Sequence, residues 1–274
     1  MQPQRSLVST VLILATATGS TVGGAQLSLS PVSPRGQSVT PVFEGWYRNT
    51  DGTYSLSFGY FNRNAQEVID LPIGPDNSIT PGSPNQGQPT QFQPRRHWGV
   101  FAVVVPADFA RKRVTWTLRL RGQEFAIAGS LNQDWQIDAL EGEASANDTP
   151  PVVTLDPGGP AAQGPLGSVA GPLRARVGAP LALTFLVRDD GKSLSGSGVP
   201  VELTWFKHQG PGSVTFSPGT ARLTPTGGKA TTTATFSQAG DYLVRVRAND
   251  SPVMSAGHSQ CCWTNAFVRV TVEP

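Results

Sequence analysis

The sequence predicts an all-β protein made of two β-sandwich domains, and three observations carry that prediction. Of 274 residues, 30 are Gly and 24 are Pro, about one in five where roughly one in eight is usual. Only 15% are charged, well below the ~25% of an average soluble domain. The apolar residues fall in short runs that alternate with polar ones between turn residues, the period of strands with one buried face. Long helices and coiled coils need Ala, Leu, Glu and Lys rather than Gly and Pro. Wholesale disorder is opposed by 6 Trp, 12 Phe and 4 Tyr, enough bulk to build cores. A net charge of +2 is too small to imply nucleic-acid binding.

The N-terminus predicts export. Arg5 follows a short polar start, Leu7 to Ala17 is an apolar run, and small residues lead to Gly23-Gly24-Ala25. This is the layout of a secretory signal peptide, residues 1–25, cut after Ala25. The alternative is a retained anchor, because Ser6 to Ala25 is uncharged and about long enough to span a bilayer. Its Thr-, Ser- and Gly-rich second half argues against spanning. No other stretch is apolar enough to cross a membrane. The expected location is therefore periplasmic, cell-surface or extracellular.

Residues 26–40 read as a polar lead-in and 41–146 as the first sandwich. Phe43 to Tyr47 and Tyr54 to Tyr60 flank Asn49-Thr50-Asp51-Gly52, a hairpin turn whose Gly supplies positive φ. Val68 to Ile73 is a short strand, and Trp98 to Val105 is a continuous apolar run suited to burial on both faces. Val114, Trp116, Leu118 and Leu120 alternate, turn at Arg121-Gly122 and return through Phe125 and Ile127. Ile79 to Arg96 is a long Pro/Gln/Gly loop, a length that usually signals function. Residues 147–167, with Pro150-Pro151 and Pro157-Gly158-Gly159-Pro160, read as a linker without regular structure.

Residues 168–274 form the second sandwich. Leu181, Leu183, Phe185 and Val187 alternate, and so do Val201, Leu203 and Trp205; Ala230 to Phe236; Tyr242 to Ala248; and Val268 to Val272. About seven short strands in 100 residues, with an early Trp and a Tyr opening the penultimate strand, fit two packed sheets. Trp205 is expected at the centre and Tyr242 at a corner, tethered through its hydroxyl.

The run Ser237-Gln238-Ala239-Gly240-Asp241-Tyr242-Leu243-Val244-Arg245-Val246 resembles a stretch of bacterial PKD-like and immunoglobulin-like domains. The antibody-type inter-sheet disulfide is missing, since the facing strands carry Phe185, Val187, Val244 and Val246. The first domain is similar to a β-rich module of bacterial surface and secreted proteins. The matching residues are Asp51-Gly52-Thr53-Tyr54, Phe58-Gly59-Tyr60, Gln88-Pro89-Thr90, Phe92-Gln93-Pro94 and Val114-Thr115-Trp116-Thr117-Leu118. The resemblance implies adhesive, spacer or binding parts rather than enzymes.

Chemistry-bearing residues are few. Cys261 and Cys262 are adjacent, and neighbours across a trans peptide sit closer than an ordinary disulfide allows. In an oxidising compartment three outcomes remain: a strained vicinal bridge, bonds to another chain, or buried thiols. His258 precedes them, but neither a copper nor a zinc ligand set is complete. Arg95, Arg96 and His97, with Arg111-Lys112-Arg113, could form a cationic patch, although solvated loop ends are the plainer reading. Asp189-Asp190-Gly191 and Asp241 could ligate calcium, although Asp-Gly at strand ends is ordinary turn chemistry. No nucleophile elbow, base–nucleophile pair or opposed carboxylate pair is legible, and no cofactor is expected.

The sequence thus predicts a non-enzymatic exported binding or scaffold protein whose partner is another protein or a membrane complex. An extrinsic accessory subunit of a membrane-bound complex is the alternative, and a secreted enzyme a distant third. The loop 251–264, bearing His258, Cys261, Cys262 and Trp263, is expected to face the partner. Ile79 to Arg96, running into Arg95, Arg96 and His97, is the second candidate surface.

Overall fold

Alternating apolar residues set the strands, and the computed structural model shows how they pair. It describes residues 33–140, 147–193, 198–250 and 261–274, all within one unit, Val32–Pro274. The signal segment 1–25, the start of the lead-in, residues 141–146 and the loop residues 251–260 lie outside the described residues.

The first half contains β1 (Val39–Arg48), β2 (Tyr54–Asn62), β3 (Ile69–Asp70), β4 (Asn77–Thr80), β5 (Gln91–Phe92), β6 (Arg95–Val105), β7 (Val114–Leu120) and β8 (Gln123–Gly129). They form sheets ordered β1-β2-β6 and β4-β7-β8, with β3 paired to β5. Strand β1 starts inside the stretch expected as a polar lead-in. Between the sheets lie Leu56, Phe58, Phe101, Trp116 and Phe92, all nearly inaccessible to solvent. Trp116 donates its indole N–H to Asn77 Oδ1 at 3.0 Å, so the polar end of this core ring is satisfied. The apolar run of β6 is not covered on both faces throughout, because Val104 is 48% exposed.

The second half contains β9 (Val152–Asp156), β10 (Ala161–Ala162), β11 (Ser168–Arg176), β12 (Pro180–Arg188), β13 (Glu202–Gln209), β14 (Val214–Ser217), β15 (Thr220–Arg222), β16 (Gly227–Phe236), β17 (Gly240–Asn249) and β18 (Trp263–Glu273). Its sheets run β10-β9-β12-β16-β14 and β11-β18-β17-β13-β15. This corrects the reading of 147–167 as lacking regular structure. Val152 to Asp156 pairs antiparallel with β12, and Val153 and Leu155 enter the core. The prolines bracket this five-residue strand rather than interrupt it, which is where proline is tolerated.

Trp205 sits inside the sandwich with Leu183, Phe185, Val244 and Val246. The Tyr242 hydroxyl donates to Gln238 O at 2.9 Å and accepts from Gly212 N at 3.0 Å. Both are placed as the strand period and the sandwich corner require.

Candidate functional site

The sheet β11-β18-β17-β13-β15 is covered on one face and over part of the other. One face meets the other sheet of its own sandwich, and part of the second meets the first half of the chain. Residues 263–268 are consequently buried without alternation. On this second face Trp263 is fully buried and donates its indole N–H to Gly99 O at 3.3 Å. Asn265 Nδ2 donates to the same carbonyl at 2.6 Å and to Pro165 O at 2.8 Å. Gly99 has φ +45°, and a Cβ there would lie 2.3 Å from Trp263 Cζ2, so only glycine lets β6 approach this ring.

Arg245, 3% exposed, lies beside that contact. Its guanidinium sits 4.5 Å over the Phe206 ring and donates to Val100 O at 3.3 Å and Asn265 Oδ1 at 3.4 Å. Burial pulls its pKa down to about 9. His208 lies 2.7 Å from Gly87 O through Nε2, and its carbonyl accepts from Thr90 N at 2.8 Å. Burial first, and Arg245 second, push His208 down to about 3, so the ring is neutral. Lys207 Nζ bonds Asp70 Oδ1 at 2.6 Å and Gly212 O at 2.8 Å.

The expected contact residues therefore fall differently. Trp263 is not partner-facing, because it is consumed by the contact with β6. His258 lies outside the described residues. The loop from Ile79 is divided: residues 81–85 are exposed, whereas Gly87 and Thr90 dock on His208. Arg95, Arg96 and His97 do not make one cationic patch. Arg96 is paired with Glu44 at 2.7 Å, and His97 stacks on Tyr60 with ring centroids 4.9 Å apart. Burial, then Arg245, push the His97 pKa down to about 3. Arg95 alone is exposed, with its guanidinium over Phe61.

Cys261 and Cys262 are joined to each other in a disulfide, and both are buried. The Asp148 carbonyl oxygen lies 3.8 Å and 3.5 Å from their sulfurs. Around them the ends of β12 and β17 and the segment before β9 bring Asp148, Asp189, Asp190 and Asp250 together. Asp190 accepts from Thr149 Oγ1 at 3.0 Å and from Lys192 N at 2.8 Å, with Lys192 Nζ 3.6 Å away. Asp148 and Asp250 are almost wholly buried. Asp241 belongs elsewhere, accepting from Thr271 Oγ1 at 2.8 Å. Sequence reading singled out Asp189 and Asp190 but missed Asp148 and Asp250. Neither sits in a motif, and only the pairing of β9 with β12 draws Asp148 to this end of the sandwich.

Residues 168–259 match the PKD domain. The match spans β11 to β17, about a third of the chain, and confirms a PKD-like all-β fold. Among solved structures, domains 4 and 5 of the S-layer protein SbsC align over 64% of this chain and 71% of theirs, at 10% identity and TM-score 0.27. The D00-D0 domain of intimin aligns over 85% of this chain and 100% of its own, at 15% identity and TM-score 0.25. No curated protein matches the chain. Among the described residues no helix is long and apolar enough to cross a membrane.

Proposed function

We propose that this is a non-enzymatic exported protein that acts through contacts of its β-rich surface with another protein or with the cell surface. The PKD match over residues 168–259 carries the reading. The way the molecule uses its reactive groups supports it. His97, His208, Lys207 and Arg245 are held by carbonyls, rings and a carboxylate where the two sandwiches meet. There they fix geometry rather than confront a cavity. The outward apolar residues include Trp135, 49% exposed on a 3-10 turn, and Val104. An exposed aromatic of this kind makes a good contact anchor.

Labelling of intact cells tests the reading. A membrane-impermeant amine reagent should modify the exposed Lys112, Lys192 and Lys229, and crosslinking should recover one reproducible envelope or surface partner. A chain found only inside the cell, beginning at Met1 and unlabelled, would overturn it.

A further inference from the structure

We propose that a groove along the seam of the two sandwiches binds an extended peptide segment of a partner protein, with an acidic side chain seated on Arg269. The inference rests on the surface role proposed above and gives that role a place on the molecule. The outer face of β17 and β18 is taken up at Trp263 and Asn265 by the first half of the chain. Further along the same face the cover ends. A groove of about 610 Å³ opens there, lined by Asn85, Gln86 and Gly87 from the first half and by Val169, Leu243 and Arg269 from the second. A second reach, about 520 Å³, is lined by Pro72, Ile73 and Pro211. Gln209 and Asp241 line both reaches and join them into one elongated groove. Gln209 also donates to Gln88 O at 2.7 Å, so the groove continues the contact that holds the sandwiches together.

Charge sets one feature of the ligand. Arg269 is exposed and has no ion-pair partner among the described residues. Glu273, on the same strand, is taken by Arg174 at 2.6 Å, and Asp241 Oδ1 accepts from Thr271 Oγ1 at 2.8 Å. A guanidinium in this position is a seat for a carboxylate, which it holds through two parallel N–H groups. Asp241 Oδ2 and Gln86 Oε1 remain as acceptors, since Gln86 gives its Nε2 hydrogens to Pro81 O and Ser83 O. Acceptors of this kind suit the N–H groups of a peptide main chain.

The walls select a peptide over a sugar. Among the described residues Tyr242 is the one aromatic that lines the groove. It is 3% exposed, and its hydroxyl is tied at the sandwich corner. No ring face is therefore open for a sugar or a base to stack on. The apolar surface comes instead in separate pieces, Val169, 45% exposed, in one reach and Pro72, Ile73 and Pro211 in the other. Separate apolar seats with acceptors between them match an extended chain, whose side chains alternate in direction.

The test uses the purified, oxidised full chain and a displayed library of random peptides about 12 residues long, up to ~40 Å when extended. Selection should enrich one peptide family with Asp or Glu at a fixed position. Arg269→Glu should weaken the enriched peptides about tenfold or more, and selection on that variant should put Lys or Arg at the same position. Arg188→Glu, at an exposed charge on the other sheet, should leave binding unchanged. No enriched family, or one that binds Arg269→Glu as well as the wild type, would overturn the groove. Binding of alginate, an acidic sugar polymer, that Arg269→Glu abolishes while no peptide is enriched would overturn its assignment to peptides. Intact-cell crosslinking with Arg269→Glu keeps the two readings apart. A partner recovered equally from variant and wild type overturns the groove and leaves the surface role standing, whereas no partner from either overturns the surface role.

Discussion

Replacing Trp263 with Ala isolates the contact that joins the two sandwiches. The ring is fully buried against Gly99, with its N–H on the Gly99 carbonyl. Burying a Trp removes roughly 150–250 Å² from water, and at ~25 cal/mol per Å² that is about 4–6 kcal/mol. Mutational experience with large core aromatics gives ~3–5 kcal/mol, so about 4 kcal/mol is expected from Trp263→Ala. Trp263→Phe separates the ring from its hydrogen bond. The Gly99 carbonyl keeps the Asn265 donor at 2.6 Å, so no acceptor is orphaned and the loss should be only ~1–2 kcal/mol. Urea unfolding followed by both circular dichroism and fluorescence measures each value. A Trp263→Ala loss below ~1 kcal/mol would place the indole in solvent and refute the account of the contact.

Gly99→Ala forces a Cβ to 2.3 Å from Trp263 and should cost at least ~2 kcal/mol, with a clearly smaller penalty in a Trp263→Ala background; equal penalties would mean the ring is not the obstacle. A fragment of residues 168–274 begins after β9 and β10 and exposes the Trp263 face, so it should show no cooperative unfolding transition, and a sharp one would show that neither is needed. His208 is neutral in the fold, with a pKa near 3, and titrates near 6.5 when unfolded, so the stability it contributes is present above pH 6.5 and is lost as pH falls toward 3. His208→Gln removes that dependence, and its stability difference from the wild type should therefore shift by ~1.4 kcal/mol per unit between pH 6 and 4, to the disadvantage of the wild type; a pH-independent difference would show that the ring is not held neutral.

The second sandwich was legible because its inward residues obey a strict period of two. Leu183, Phe185 and Val187 on β12 and Val244, Val246 and Ala248 on β17 are all buried. Its first strand was not legible. Val152 to Asp156 is only five residues long between proline-rich flanks, and its evidence is a pairing with β12 that no local pattern records. The acidic cluster was half legible for the same reason. Asp189-Asp190-Gly191 is contiguous, whereas Asp148 and Asp250 reach it only through long-range pairing.

The contact between the sandwiches was hidden by its polarity. Alternation assigns Arg245 and Arg247 of β17 to the face opposite Val244 and Val246, and such residues read as a solvated surface. Here Arg245 is covered and Arg247 half-buried, and the outward phase of β18 carries the signal that marked it. Trp263 and Phe267 sit out of step with Val268, Val270 and Val272, and a one-sided strand has no use for large rings on its wet face. A buried arginine on such a face does not argue against burial either. Its charge spreads over a flat guanidinium that stacks on Phe206 and reaches two oxygens, and this group is more weakly hydrated than an ammonium. Polar alternation therefore marks a second face without showing that it is wet. Aromatic residues on that same phase are what separate a covered face from a solvent-exposed one.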